Sequence, residues 1–128
     1  MNTARCFSSR IAVVIGGTRG IGLASARLLA AAGATVILTG TDQAKAEREA
    51  QQIAAEYGVS ATGRSLDLAD YASISVTIKS IAAEHGTIDA LVLSAGLMQS
   101  TPLGMTPEPV ARHLLDVNLL GAIEVLQV

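Results

Sequence analysis

The residues best suited to chemistry lie at positions 11–29, IAVVIGGTRGIGLASARLL, where Gly16, Gly17, Gly20 and Gly22 set the spacing G-x-x-x-G-x-G. Glycine has no Cβ and tolerates positive φ, so such a loop can turn sharply and bring its backbone close to a ligand. Helix formers follow at once: Leu23, Ala24, Ala26, Arg27, Leu28 and Leu29. The first N–H groups of that helix have no partner within it and point back at the loop. The positive end of the helix dipole lies in the same place. Together they form a phosphate site, in which each charge-assisted hydrogen bond is worth roughly 1.5–3 kcal/mol net. The plain alternative is a turn that only joins strand to helix. An apolar strand before the loop and a helix after it favour the diphosphate site.

Such a loop needs a sheet to hold it. Ile11 to Ile15 is a continuous apolar run, which predicts a parallel strand covered on both faces. Gly33 stops the first helix, and Ala34 to Thr39 reads as a second buried strand. Thr41 or Asp42 can cap a helix running to Tyr57, with Ala46, Ala50, Ile53 and Ala54 on its apolar side. Val59 to Leu66 reads as a third, more exposed strand. Asp70 can cap a third helix carrying Ile74, Ile78 and Ile81, and Ile88 to Ser94 reads as a fourth strand. After a loop over 97–106, Thr106 as N-cap and Pro107 as first helical residue open a last helix that runs on into the C-terminus. Strands alternating with helices predict an α/β fold with a doubly wound parallel sheet, Rossmann-like, in a single domain over 1–128. In such a sheet ligands sit beyond the carboxyl ends of the strands, beside the first one.

Composition narrows the partners. Half of the 128 residues are hydrophobic, yet the only aromatics are Phe7, Tyr57 and Tyr71, so the core must be aliphatic. A net charge of −2 with no basic cluster argues against nucleic acid and anionic membranes. The segment MNTARCFSSR has no apolar signal core, and no run approaches the ~20 apolar residues of a membrane span. A cytoplasmic, small-molecule protein is expected. Cys6 is the one cysteine and can form no internal disulfide. His85 and His113 are isolated and expected to be exposed, and no metal-ligand spacing occurs.

Four segments in order, IGGTRGIG (15–22), LDLAD (66–70), LSAG (93–96) and DVNLLG (116–121), resemble the motifs of short-chain dehydrogenases/reductases. The resemblance covers the chain from residue 10 onward. It implies a sheet order of 3-2-1-4 and hydride transfer between NADP(H) and a carbonyl or alcohol substrate. It assigns Gly16, Thr18, Arg19, Gly20, Ile21 and Gly22 to the cofactor loop, and Asp67 with Leu68 to the adenine end. Ser94, Ala95 and Gly96 match the end of the family's N-N-A-G motif, with Leu93 and Ser94 replacing its asparagines and Ile15 replacing its usual threonine. Thr41 follows the second strand, where the family chooses between dinucleotides. Its discriminating acid aligns with Gly40, so that position is empty, and Arg19 matches the basic residue of phosphate-preferring members. NADP(H) is therefore favoured over NAD(H). For Asp42 and Asp70 helix capping is the favoured role; Asp67 and Arg19 retain the alternatives of a cap and a solvated loop charge. Met98 and Met105 flank the 97–106 loop, where ordinary burial within the loop is expected ahead of packing against a substrate or nicotinamide.

Asn118 matches the asparagine of the family's proton relay. The family's serine and its Y-x-x-x-K pair have no counterpart: Tyr57 is followed four residues on by Ala61, and Tyr71 by Ser75. The chain by itself is thus expected to be inactive, the cofactor-binding part of a longer reductase whose fourth strand is left as an open edge. Full-length members of the family are expected to be homo-oligomers. The alternative is a non-catalytic dinucleotide-binding or interaction module completed by a partner chain.

Overall fold

The structure, a computed structural model, describes residues 5–128; the start of the segment read as lacking a signal core lies outside the described residues. Four strands, β1 (Ile11–Ile15), β2 (Thr35–Gly40), β3 (Ala61–Ser65) and β4 (Ala90–Leu93), form one parallel sheet in the order β3-β2-β1-β4. This is the expected doubly wound arrangement. Val13 stands at its centre, in register with Ile37 on one side and Leu91 on the other.

Successive residues of a strand face opposite sides, and each side carries its own core. Ala12, Val14, Val36 and Leu38 pack with Ala26 and Ala30 of α1 (Gly20–Ala31) and Ala46, Ala50 and Ile53 of α2 (Gln43–Tyr57). Val13, Ile15 and Ile37 pack with Ile74, Ile78 and Ile81 of α3 (Tyr71–His85) and with Val117 and Val125 near the C-terminus. The fully buried side chains are aliphatic apart from the Thr39 hydroxyl, as the scarcity of aromatics requires.

The anticipated caps are present. Asp42 Oδ1 accepts from Lys45 N at 3.0 Å, and Asp70 Oδ1 from Ser73 N at 3.2 Å. Gly58 closes α2 in the left-handed conformation with φ 65°. β1 keeps the expected bounds and β2 lies one residue later than expected, while β3 and β4 are shorter than the hydrophobic pattern suggested. Pairing of β3 stops at Ser65, and in β4 the positions before Ala90 are diverted, with Asp89 accepting from Arg10 Nη1 and Ile11 N at 2.7 and 2.8 Å.

Two expectations are corrected. The last helix does not begin with Thr106 as its cap: Pro107 takes that position in an extended conformation, α4 runs over Glu108–Leu115, and the Thr106 hydroxyl pairs with that of Thr101. The helix does run on to Gln127, with one irregularity. A π-helical turn, Asp116–Leu120, separates α4 from α5 (Gly121–Gln127), with Gly121 N bonded to Asp116 O in the i→i−5 manner. Side chains of the turn are held from outside, Asp116 by the Tyr71 hydroxyl at 2.9 Å and Asn118 by Leu97. His85 is also less exposed than expected. Its side chain is 19% accessible, and its buried Nε2 finds no hydrogen-bond partner among the described residues.

Candidate functional site

At the carboxyl ends of the strands lies a groove of about 500 Å³. The loop after β1 forms one wall. Gly16 has φ 79°, and a Cβ on it would come within 2.6 Å of Ala95 N, so the first loop presses directly on the segment after β4. Gly22 is buried beneath that loop, where a Cβ would fall 2.1 Å from Gly16 O. Both positions therefore require glycine, one for conformation and closeness, the other for closeness alone. Arg19 precedes α1 in an extended conformation and makes no side-chain capping bond. The first-turn N–H groups of α1 are thereby not consumed by a side-chain cap, as an anion site requires.

Of the sequence-predicted residues, Gly16, Thr18, Arg19, Gly20, Ile21, Thr41, Asp67, Leu68, Ser94, Ala95 and Gly96 all line this groove. Gly22 supports it from below. Gly17 N donates to Thr39 O at 2.8 Å and Ser94 N to Ile15 O at 2.9 Å, which ties the loop to β2 and the β4 tail to β1. Asp67 Oδ1 accepts from Ala69 N at 2.9 Å in a local turn, so its carboxylate is fixed by its own segment while the residue stays exposed in the groove. Asp42 is absent from the lining and serves as a cap.

Asn118 does not line the groove. Its Oδ1 accepts from Leu97 N and its Nδ2 donates to Leu97 O, both at 2.7 Å. One amide thus holds both backbone groups of the residue after Gly96. Gly96 leaves the room for this, since a Cβ there would stand 3.3 Å from Asn118 Oδ1. Tyr71, bonded to Asp116, has its pKa raised, by burial first and by the Asp116 carboxylate second.

Ile15, Gly40 and Leu66, which fall at motif positions read from the sequence, also line the groove, whereas Leu97, His113 and Val117 were missed as lining residues. His113 and Val117 are four apart and share a helix face, which was a usable signal. Their proximity to the glycine loop was not, because it depends on how α4 packs. A smaller cavity of about 280 Å³ adjoins through Leu97 and His113 and is walled by Met98, Val110 and Leu114. No group of three or more His, Cys, Asp or Glu among the described residues is placed to hold a metal ion. No described helix is long and apolar enough to cross a membrane.

A family model described as short chain dehydrogenase matches residues 10–128. The chain is 35% identical over 114 residues to a galactitol 2-dehydrogenase of Agrobacterium fabrum, covering 89% of this chain and 43% of that protein. It is 38% identical over 118 residues to a 3-oxoacyl-[acyl-carrier-protein] reductase of Aquifex aeolicus, covering 92% and 48%. Among solved structures, a metagenomic short-chain oxidoreductase in complex with NADP superposes with a TM-score of 0.89 at 34% identity, covering 94% of this chain and 55% of that one. The chain spans about half the length of the curated relatives it matches.

Proposed function

This chain belongs to the short-chain dehydrogenase family, and on that premise we propose that its groove binds NADP(H) in preference to NAD(H), in the service of an oxidoreductase acting on a carbonyl or alcohol substrate. The observation that carries the reading is the convergence of the glycine loop, the end of β2, Asp67 and Ser94–Gly96 on one groove. The residues fit a dinucleotide. Gly16 and Gly22 let the loop close on Ala95 and on itself, and Gly20, which faces open space in the groove, leaves the first-turn N–H groups of α1 accessible to a diphosphate. Beside it Arg19 offers a cation, and the β2 end offers Gly40 and Thr41 with no carboxylate among the lining residues there. A 2'-phosphate is attracted by the first and not repelled by the second. Asp67, held by Ala69, offers its remaining carboxylate oxygen to the adenine amino group, with Leu68 as an apolar floor.

The bound cofactor supplies the hydride. The chain's own residues bind and orient it. Asn118 keeps Leu97, and with it Gly96, at the groove's edge through two hydrogen bonds, a holding role that its engaged amide supports more directly than proton transfer by the side chain. Neither tyrosine is placed as a general acid: Tyr57 ends α2, and the Tyr71 hydroxyl is committed to Asp116. The 128 residues are accordingly read as holding the cofactor without turning over substrate. Titration with NADPH and NADH, followed by nucleotide fluorescence, tests the reading. NADPH is expected to bind about tenfold or more tightly than NADH, and Arg19→Ala to remove most of that difference, since one charge-assisted contact is worth roughly that factor. Equal binding of the two nucleotides would sink the preference.

One observation fits both a longer protein that continues the sheet and a second reading, a non-catalytic binding module completed by another chain. Leu91 and Leu93 of the edge strand β4 are 38% and 37% exposed, on the sheet face where Val13 and Ile15 are covered.

A further inference from the structure

Gly40 ends β2 beside the groove, and its own backbone does not call for glycine, because its φ lies outside the left-handed region. Thr18 explains it. A Cβ on Gly40 would lie 2.7 Å from Thr18 Cγ2 and 2.9 Å from Thr18 Oγ1. Carbon atoms in contact settle about 3.5–4.0 Å apart, so no side chain fits at position 40 while Thr18 stands as it does. The backbone on both sides of the contact is anchored. Gly17, next to Thr18, donates its N–H to Thr39 O at 2.8 Å, and it sits so close to Leu38 that a Cβ on it would fall 2.7 Å from Leu38 Cβ. Gly40 accepts from Leu66 N at 2.8 Å and is in register with Ser65. Thr18 is also β-branched, with few χ1 alternatives.

We propose that Thr18 is a specificity-determining residue of the dinucleotide site: by filling the space over Gly40 it keeps any carboxylate off the end of β2 and leaves Arg19 as the charge that meets the adenosine 2'-position. This rests on the reading of the groove as an NADP(H) site. Preference is then a property of two touching residues on different segments. An acid at position 40 is inaccessible by one substitution and becomes accessible once Thr18 is cut back.

Dissociation constants of NADPH and NADH for the wild type, Gly40→Asp, Thr18→Ala and the double variant test this, with melting temperatures of Gly40→Ala and Thr18→Ala/Gly40→Ala alongside. Thr18→Ala removes the two closest atoms and keeps Thr18 Cβ, 3.4 Å from where a Cβ on Gly40 would stand. Any contact of the Thr18 hydroxyl with the diphosphate shifts both nucleotides together, so the ratio of the two constants isolates specificity. Gly40→Asp is expected to weaken NADPH about tenfold or more with no matching gain in NADH, and the double variant to bind NADH about tenfold more tightly than Gly40→Asp does. Gly40→Ala should melt below the wild type and regain most of the loss when Thr18 is also alanine. Misfolding of Gly40→Asp that Thr18→Ala repairs supports the proposal equally. A reversal of preference by Gly40→Asp alone as complete as in the double variant, or a Gly40→Ala variant that melts like the wild type, overturns it. If the wild type binds neither nucleotide, the cofactor reading falls and the proposal with it, an outcome distinct from binding without coupling.

Discussion

Asn118 illustrates how much one side chain can do from outside a groove. Its amide closes a two-bond ring with the backbone of Leu97, and both bonds are short at 2.7 Å. Removing it leaves Leu97 N–H and C=O to water, since Leu97 is exposed. Asn118→Ala should therefore cost about 1–2 kcal/mol of stability, measured by urea unfolding, and weaken NADPH binding through a looser Gly96–Leu97 segment. Undiminished affinity in a stably folded Asn118→Ala protein would show that the segment needs no such anchor. The glycine positions were legible in the sequence because they answer to local demands, a positive φ at Gly16 and a close approach at Gly22. The partner of Asn118 was not legible, because Leu97 lies 21 residues away and offers only backbone atoms, which every residue has. The Thr18–Gly40 contact was hidden for the same reason: Gly40 read as an empty position, whereas Thr18 occupies the space above it.

Among the elements, the starts of α2 and α3 were the easiest to read. A short acceptor at Asp42 or Asp70 satisfies an N–H three residues on, a purely local bond. Strand ends and the π-helical turn in the last helix depended on tertiary partners. Asp89 was counted within the fourth strand, yet it precedes β4 and joins β4 to β1 by accepting from Ile11 N and Arg10. Those donors, the Ile11 N–H first and the Arg10 guanidinium second, hold the Asp89 carboxyl below the ordinary carboxylate range. A carboxylate whose pKa is lowered by folding stabilises fully above its unfolded value, near 3.9, and loses that contribution as pH falls through the lower folded value. Glu84, lowered by Arg64, acts in the same sense. The stability difference between wild type and Asp89→Asn should thus be present at pH 7 and shrink below about pH 4, followed by urea unfolding at each pH. A difference that grows on acidification would contradict the assignment.

At the scale of the whole molecule, the two faces of the sheet are unequally covered. The α1–α2 face is closed by small residues packed on Ala12, Val14, Val36 and Leu38. The other face leaves Leu91 and Leu93 accessible, and Leu115, Leu119, Ile123 and Leu126 recur at near-helical spacing at 56%, 51%, 39% and 68% exposure. Large apolar side chains exposed in such number promote association. The purified chain should self-associate as its concentration rises, detected by sedimentation velocity. Leu115→Lys combined with Leu126→Lys should reduce that association while changing stability by no more than about 0.5 kcal/mol per site, because exposed positions tolerate substitution. Association unaffected by the lysines would place the contact elsewhere, with the edge of β4 as the next candidate.

By itself the sequence determined the parallel α/β sheet, its helix caps, its aliphatic core and the glycine loop, all of which follow from periodicity, chain-local hydrogen bonds and the absence of a Cβ. Only the tertiary structure decided that Thr18 fills the space over Gly40, that Asn118 grips Leu97 through a π-helical turn, and that His113 and Val117 reach the groove. These are contacts between segments distant in the chain. Their energy depends on separations of a few tenths of an ångström, which packing sets and residue order does not encode locally.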